Sequence, residues 1–432
     1  MKIKTNYESL VSVLNLMNLV TSGKKLQEDI KVVNIFVQND KLYALGTDAQ
    51  LFCLDTLEGE YDLEGESNPF MVIHIKEIMD ILSKFSSLQR TQVKEIKLES
   101  QQKGIVMTVT EEPKVLKDNA QFTFSDMYKN QESRFKLVRT EVRSNVVREL
   151  ATMVMPDGYS EVKSKDLQKY LDYMYPPMTK PKETAVMHFD NEFVYSVMGN
   201  VYGIAMPNML PKDIFSGLSL PLPYINFLRN VIPQADTFKI YKDINIEKLN
   251  SDGGDGDWNT RKTVTLMIQI NDILVKLRVL DNSSSVSTSS FKQAIKNTVE
   301  VDKPYFLDTL KRLEGFDQVF VEISIHEDDM VVGASTADFI VKTQRTRQRI
   351  PVKCAHGSGD FKFMLRPESL SLMAFSHLTK DIDGNSDKIN DLIFCLDNLE
   401  KGAVSLTCRD KSDDWQTRYP KAPYKEAPQL DF

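Results

Sequence analysis

The sequence predicts an α+β protein built from three similar domains, each with two helices and antiparallel sheets. Three observations predict this fold: one strand pattern occurs three times, a helical pattern precedes each copy, and a second helix and more strands follow it. The 432 residues exceed what one hydrophobic core usually serves, which agrees with several domains. The apolar content of 41% and charged content of 27% are those of an ordinary globular protein.

The repeated strand pattern aligns without gaps in three stretches. They are IFVQNDKLYALGTDAQLFCL (35–54), VMHFDNEFVYSVMGNVYGIA (186–205) and ISIHEDDMVVGASTADFIVK (323–342). Each stretch has an apolar strand, a turn, a second strand, a break of small residues and a third strand. The turns are rich in Asn and Asp, as is typical of β-hairpins: Asn39-Asp40, Asp190-Asn191 and Asp328-Asp329.

Apolar residues at helical spacing precede each copy. The predicted first helices lie in YESLVSVLNLMNLV from Tyr7, in VRSNVVRELATMVM from Val142, and in KPYFLDTLKRLEG from Lys303. Pro304 suits a first turn and Gly315 suits a helix end. The predicted second helices are IKEIMDILSKFSS from Ile75, LPYINFLRNVIP from Leu222 and RPESLSLMAFSHL from Arg366.

These patterns predict the domain boundaries. The first domain covers residues 1–112 and the second covers 134–282, with an insertion near 157–182 and an acidic loop at 248–262. The third domain covers 290–411, and a C-terminal tail covers 412–432. A further insertion is predicted between Glu111 and Ser133.

The order of helix, strands, helix and strands, three times over, resembles the DNA sliding clamp family of the three-domain bacterial β-clamp type. The local sequences closest to that family are GTDAQLFCLD (46–55) and FLDTLKRLEG (306–315). The resemblance implies two inner helices and outer sheets in each domain, and two subunits that close head to tail into a six-domain ring around duplex DNA. The extra length suggests a divergent, phage-encoded member.

The resemblance also implies a ring lined by basic helices that contact phosphates without reading bases. A basic lining inside an acidic exterior agrees with the net charge of −7. An alternative interpretation is that these residues lie on solvated faces of amphipathic helices, and the run RTRQR (345–349) is either a solvated turn or a DNA contact. The candidate DNA-binding residues are Lys24, Lys25, Lys76, Lys84, Arg90, Arg143, Arg148, Arg229, Lys311, Arg312, Arg366 and Lys380.

A partner-binding crevice is a second implication of the resemblance. In the family, a hydrophobic crevice between the second and third domains accepts short peptides from polymerases and clamp loaders. The matching segment here is MGNVYGIA, with Gly199, Asn200, Val201 and Tyr202 as candidates, although Val201 and Tyr202 also suit a core strand. The chain ends in QLDF, similar to such peptides, so Leu430 and Phe432 are candidates to cover the crevice. The alternative is a disordered tail.

No catalytic or metal motif is apparent in the sequence. It has no GxSxG, P-loop or GxGxxG pattern, and the scattered cysteines Cys53, Cys354, Cys395 and Cys408 indicate reduced thiols. The acidic stretches Asp381–Asp387 and Ser251–Asp257 lack a closing calcium ligand. We therefore expect a non-catalytic protein without cofactor or metal.

The expected partners are double-stranded DNA, a DNA polymerase, a clamp loader and a second copy of the chain. No apolar run approaches the roughly 20 residues of a membrane span, so we expect no membrane partner and a cytoplasmic location, or a replication compartment if the source is viral. Two alternative functions stay open. One is a monomeric processivity factor that forms no ring, and the other is an adaptor that binds another clamp through its QLDF terminus.

Overall fold

The computed structural model confirms an α+β protein with few helices and several antiparallel sheets. It describes residues 1–21, 31–63, 70–88, 91–101, 104–113, 131–178, 186–198, 202–249, 259–280, 296–313, 316, 318–327, 335–365, 391–397, 403–408 and 416–420.

The elements up to residue 163 alternate short helices with strands. The strands are β1 Lys2–Thr5, β2 Val32–Gln38, β3 Lys41–Thr47, β4 Leu51–Thr56, β5 Gly59–Asp62, β6 Phe70–His74, β7 Thr91–Gln101, β8 Gly104–Pro113, β9 Gln131–Leu137 and β10 Ser160–Lys163. The helices are α1 Tyr7–Thr21, α2 Ile75–Ser83 and α3 Ser144–Leu150.

The elements from residue 164 to 280 follow a similar order. The helices are α4 Ser164–Met178, α5 Lys212–Phe215 and α6 Leu222–Val231. The strands are β11 Val186–Phe189, β12 Phe193–Met198, β13 Tyr202–Pro207, β14 Leu218–Pro221, β15 Thr237–Leu249, β16 Asn259–Ile270 and β17 Ile273–Leu280.

The elements from residue 296 onward contain one described helix, α7 Lys303–Arg312. The strands are β18 Thr298–Asp302, β19 Val319–His326, β20 Thr336–Lys342, β21 Arg347–Ile350, β22 Val352–His356, β23 Gly359–Leu365, β24 Asp391–Cys395, β25 Ala403–Cys408 and β26 Gln416–Pro420. The predicted helix from Arg366 lies outside the described residues.

Local chemistry explains where the first helix begins and how it packs. The Asn6 side-chain oxygen accepts a hydrogen bond from the backbone N–H of Ser9 at 2.7 Å, which caps the start of α1. A Cβ atom added at Gly46 in β3 would lie 2.8 Å from the Met17 sulfur, so the small residue lets α1 pack directly on the sheet. Met17 and Leu14 are fully buried there.

The Asn39-Asp40 turn has the predicted hairpin geometry. Both residues have positive φ angles, 52° and 57°, as a two-residue turn between antiparallel strands requires. The turn fixes the β2–β3 register, which pairs Gln38 with Lys41. The Asp328-Asp329 turn lies outside the described residues.

The strands form four sheets, all with antiparallel neighbours. A five-stranded sheet has the order β5-β1-β7-β8-β9, and a four-stranded sheet has the order β21-β20-β19-β23. An eight-stranded sheet has the order β10-β15-β16-β17-β4-β3-β2-β6. A nine-stranded sheet has the order β14-β11-β12-β13-β26-β25-β24-β18-β22.

The chain divides into two compact units. The first contains Met1–Lys163 and Asn230–Leu280, and the second contains Ser164–Arg229 and the described part of Asp281–Phe432. Each unit contains one of the large sheets, which joins strands from different predicted domains. Shared sheets thus explain why three repeats form two units, and the division into three domains stays a prediction.

Several segments differ from their predicted roles. The segment near 157–182, predicted as an insertion, contains β10 and α4, which precede the second strand repeat as β1 and α1 precede the first. The helix predicted from Val142 is short, and only Ser144–Leu150 is helical. Strand β9 falls partly in a predicted insertion and β26 in the predicted tail, because each completes a sheet through backbone pairing that local periodicity does not report.

Candidate functional site

The predicted basic residues on helices lie in several different settings. Lys76 is at the start of α2, and Lys84 follows its last residue, and both side chains are exposed. Lys311 and Arg312 are exposed in the last turn of α7. Lys311 lies 3.5 Å from the exposed Asp308 carboxylate, a surface pair that contributes little energy. These four cations are available to an anionic partner.

Arg143, the residue before α3, and Arg148 of α3 are exposed, but α3 is not equivalent to α1 or α2. Gly46 faces Met17 of α1, whereas its neighbour Leu45 belongs to a core cluster with Val146 and Leu150 of α3. Because successive residues of a strand point to opposite faces, α1 and α3 cover opposite faces of the same sheet. Helix α2 contacts α1, where the Tyr7 hydroxyl donates a hydrogen bond to the Leu82 carbonyl oxygen at 3.2 Å. The two arginines therefore do not group with Lys76 and Lys84.

Arg229 on α6 is already engaged by α4. Its Nε atom lies 2.8 Å from the Asp172 carboxylate, and its guanidinium carbon lies 4.3 Å from the centre of the Tyr175 ring. These contacts indicate a packing role. Sequence analysis missed Lys165 and Lys169 on α4, because that segment was assigned to an insertion; Lys165 is exposed and Lys169 is half-buried.

The remaining basic candidates are not placed. Lys24, Lys25, Arg90, Arg366 and Lys380 lie outside the described residues. The same holds for the partner-binding candidates Gly199, Asn200, Val201, Leu430 and Phe432. Tyr202 begins β13, and only its backbone is described.

Strand pairing relates the partner-binding candidates to the end of the chain. Strand β26 pairs antiparallel with β13, with Gly203 opposite Arg418 and Ala205 opposite Gln416. As β26 runs towards Pro420, it therefore runs towards the Tyr202 end of β13. Pro420, the last residue of β26, therefore lies at the same sheet end as Tyr202, the first residue of β13.

A buried charged cluster joins α3 to β17. The Lys276 ammonium donates hydrogen bonds to Glu149 at 2.9 Å and to Thr152 at 2.8 Å, and Arg278 donates to Glu149 at 2.6 Å. Burial by itself raises the pKa of Glu149, but the hydrogen bonds and charges of Lys276 and Arg278 outweigh it, so the pKa lies below its usual value. We call Glu149, Lys276 and Arg278 the latch, because the Glu149 carboxylate pairs with both charged side chains of β17.

A cleft of about 700 Å³ in the first unit contains an unusual carboxyl group. Its lining includes Tyr7 and Glu8 at the start of α1, Asp55 of β4, Glu58 after β4, and Phe85. Burial raises the pKa of Asp55 to about 6; the Asp272 carboxylate adds to the rise, and the backbone N–H of Thr56 opposes it.

The histidines and cysteines of the described residues form no catalytic constellation. His188 Nδ1 lies 2.9 Å from the Ser219 hydroxyl, and burial lowers the pKa of this histidine, as is typical of a packed strand residue. Cys354 and His356 are 3.4 Å apart on β22. No group of three metal-ligating side chains occurs among the described residues. The two acidic stretches considered as metal loops lie outside them.

The described helices include none that is long and apolar enough to cross a membrane. Among known proteins, no family model matches this chain, and no curated protein matches its sequence.

Solved structures of bacterial sliding clamps resemble this chain over almost its whole length. The DNA polymerase sliding clamp from Caulobacter crescentus superposes with a TM-score of 0.64 at 11% identity, covering 98% of this chain and 100% of the other. The sliding clamp from Pseudomonas aeruginosa has a TM-score of 0.62 at 12% identity, with the same coverage. The DNA polymerase III beta subunit from Thermotoga maritima has a TM-score of 0.61 at 10% identity, again with the same coverage. The chain therefore has the fold of the DNA polymerase III beta sliding clamps.

Proposed function

We propose that this protein is a DNA sliding clamp: a non-catalytic processivity factor that encircles duplex DNA and tethers replication proteins to it. The observation that carries the proposal is the clamp fold over 98% of the chain. The exposed cations of α2 and α7 support it, because phosphate contacts hold a duplex without reading its sequence. DNA polymerase and a clamp loader are the proposed partners, and the source is proposed to be a phage.

The sheet orders support a ring made by two copies. In the nine-stranded sheet, five strands (β22-β18-β24-β25-β26) meet four (β13-β12-β11-β14). The separate five-stranded sheet ends at β9 and the separate four-stranded sheet at β21, and the outer edges of both are unpaired within the described residues. If β9 of one copy pairs with β21 of the next, five strands and four strands again join, and a nine-stranded sheet forms between the subunits. Two such junctions close a dimer.

The helices α2 and α7 are the proposed DNA-facing elements, together with Lys165 and Lys169 of α4. A duplex inside the ring would meet Lys76, Lys84, Lys311 and Arg312 as a sequence-independent basic lining. Arg143 and Arg148 are left out of this lining, because α3 covers the other face of its sheet from α1.

A pair of matched double variants tests the proposed lining. The change Lys76→Glu with Lys84→Glu should lower the affinity for duplex DNA and reduce the slope of log K against log salt by about 4, because the ring of two copies loses four phosphate contacts. The control Arg143→Glu with Arg148→Glu makes the same charge change on α3 and should leave the slope unchanged. Equal slopes for both variants would contradict the assignment of α2 to the lining.

The proposed partner site is the sheet end where β13 begins and β26 finishes. Gly199, Asn200, Val201 and Tyr202 would form its floor, and Leu430 and Phe432 would lie over it. A buried Leu or Phe side chain stabilises such a contact by about 1.5–3 kcal/mol before ordering costs. The tail would then compete with peptides from polymerase or loader.

Removal of residues 427–432 tests this competition. The full chain and the shortened chain are titrated with a fluorescent peptide that contains Gln-Leu-x-Leu-Phe. Loss of the competing tail should tighten peptide binding by about tenfold or more, because each 1.4 kcal/mol corresponds to tenfold. The full-length variant Leu430→Ser with Phe432→Ser should behave like the deletion. Unchanged affinity in both would remove the competition from the proposal.

The ring itself is tested by solution mass and by DNA topology. Light scattering on a sizing column over a range of concentrations should give twice the mass of the chain. After loading by its clamp loader, the protein should stay on circular duplex DNA and slide off linear DNA. A strictly monomeric mass would favour a monomeric processivity factor or an adaptor that uses QLDF.

A further inference from the structure

We infer that the arginine run of β21 recognises β9 of a second copy of this chain, with Arg349 and Glu132 as the deciding pair. The inference rests on the proposed ring and names what makes its subunit junction specific. It also assigns a role to RTRQR, which the sequence leaves open between a solvated turn and a DNA contact. The role follows from where the run lies in the sheets.

Two arginines of the run, Arg347 and Arg349, lie on the edge strand β21. Strand β21 pairs with β20 through residues 347–350, and its other edge is unpaired within the described part of the chain. Arg347 and Arg349 are exposed, whereas Ile350 is 1% exposed and pairs with the buried Phe339. The two arginines therefore occupy the outer face of the edge strand, and Gln348 and Ile350 occupy the core face.

Strand β9 offers a second open edge with the same arrangement. It pairs with β8, and its other edge is unpaired within the described part of the chain. Leu137 is buried, and Phe135 packs edge-on against Phe85 with the ring centres 5.9 Å apart, which defines the core face. Glu132, Arg134 and Lys136 are exposed on the outer face. Outer residues of β9 and β21 would meet if the two strands paired.

Charge selects one register of that pairing. Two antiparallel registers pair all four residues of β21 with β9 and also match the faces. One places Arg349 opposite Arg134 and Arg347 opposite Lys136, and directly opposed like charges destabilise a sheet. The other places Arg349 opposite Glu132 and Arg347 opposite Arg134, so one of its two charged pairs is attractive, whereas both pairs of the first register are repulsive. Glu132 is the only carboxylate that β9 and β21 contribute to this face.

Both residues of the pair have weak partners within one chain. Arg349 pairs with Asp338, and its side chain is 75% exposed. Glu132 lies 3.3 Å from Arg134, with exposed fractions of 43% and 72%. Exposed pairs of this kind contribute little to stability, so a pair at a less solvated subunit junction can readily replace them. The planar guanidinium also binds a carboxylate through two parallel hydrogen bonds.

The test is a charge exchange between two single variants. Glu132→Arg or Arg349→Glu alone should raise the dissociation constant of the dimer by at least about tenfold, because like charges then face each other at both junctions. An equimolar mixture of the two variants should restore the dimer. At one junction the two introduced side chains, of opposite charge, then face each other, and at the other junction the native pair forms. Asp243→Arg, which makes the same charge change at an exposed site on β15 outside β9 and β21, is the control and should dimerise normally.

Sedimentation velocity distinguishes the possible failures. A monomeric wild-type protein would overturn the proposed ring. A dimeric wild type whose charge variants dimerise equally well, alone and mixed, would overturn the role of this pair and leave the ring standing. Loss of the dimer in each variant without rescue in the mixture would also overturn the pairing.

Discussion

The two large sheets each join strands from different predicted domains, but their junctions are built differently. In the eight-stranded sheet, β17 pairs with β4 through Leu274–Leu277 and Leu51–Leu54, so the joined strands are largely apolar. In the nine-stranded sheet, β13 pairs with β26 through Gly203, Ile204 and Ala205, opposite Arg418, Thr417 and Gln416. The second junction thus pairs small or apolar residues with polar ones.

The first junction is also covered by α3. Val146, Leu150 and Met153 pack against Phe36 and Phe52 in one core cluster. Glu149 then fixes the helix to Lys276 and Arg278 of β17. The first junction is therefore stabilised by a buried core, whereas the second depends on the single strand β26.

The largest effect should follow from the loss of β26. Removal of residues 416–432 deletes a strand that lies between β13 and β25, so two strand edges lose their backbone partners. We expect the nine-stranded sheet to lose hydrogen-exchange protection while the eight-stranded sheet keeps it. The control, removal of residues 421–432, should leave both sheets protected. Retained protection of β25 in the longer deletion would show that the second junction does not need β26.

A smaller effect is expected from the buried latch of the first junction. Glu149→Gln leaves the Lys276 ammonium buried without its counter-charge, which should lower the free energy of unfolding of the first unit by about 3–5 kcal/mol. Chemical denaturation followed by amide exchange of β17 measures this change. The control Glu141→Gln changes an exposed carboxylate and should cost less than about 0.5 kcal/mol. Equal effects of the two variants would mean that the latch does not stabilise the junction.

The free energy of unfolding of the first unit should depend on pH through two carboxyl groups that act in opposite directions. The folded pKa of Glu149 is lowered, so its contribution is present above the unfolded pKa and is lost as pH falls through the folded value. The folded pKa of Asp55 is raised to about 6, so ionisation of this group destabilises the fold as pH rises from 4 to 6.

Asp55→Asn removes that penalty. It should stabilise the first unit at pH 8 by on the order of 1–2 kcal/mol, because one unit of pKa shift corresponds to 1.36 kcal/mol and solvent reduces the effect. At pH 4 the gain should disappear, since the native carboxyl group is then protonated. Urea denaturation at the two pH values measures both. A gain that is the same at both values would assign it to packing and not to charge.

Local patterns predicted those elements whose own sequence contains an apolar period or a turn pair. The apolar spacing from Tyr7, Ile75, Leu222 and Lys303 predicted α1, α2, α6 and α7, and Asn39-Asp40 predicted the first hairpin. Helix α4 was missed because the periodic segment from Val142 was assigned as the helix that precedes the second repeat. That segment forms the short α3 instead, whose apolar residues cover a sheet and not a second helix.

The basic residues were grouped by their positions on predicted helices, and such positions do not report the contacts that each side chain makes. From sequence position, Arg143, Arg148 and Arg229 were predicted to bind DNA together with the basic residues of the other helices. The face of the sheet that α3 covers, and the contact of Arg229 with Asp172, depend on residues far away in the sequence. The roles of Lys76, Lys84, Lys311 and Arg312 stay a prediction for the DNA experiments.

The sequence by itself determined the helices α1, α2, α6 and α7 and the Asn39-Asp40 turn, because apolar periodicity and turn chemistry act over a few residues. Only the tertiary structure decided which strands share a sheet. The pairing of β4 with β17 and of β13 with β26, and the contact of Lys276 with Glu149 across 127 residues, are set by burial and backbone hydrogen bonding between distant segments. No local window contains both partners of such a contact, so the joined sheets emerge only when the chain is folded.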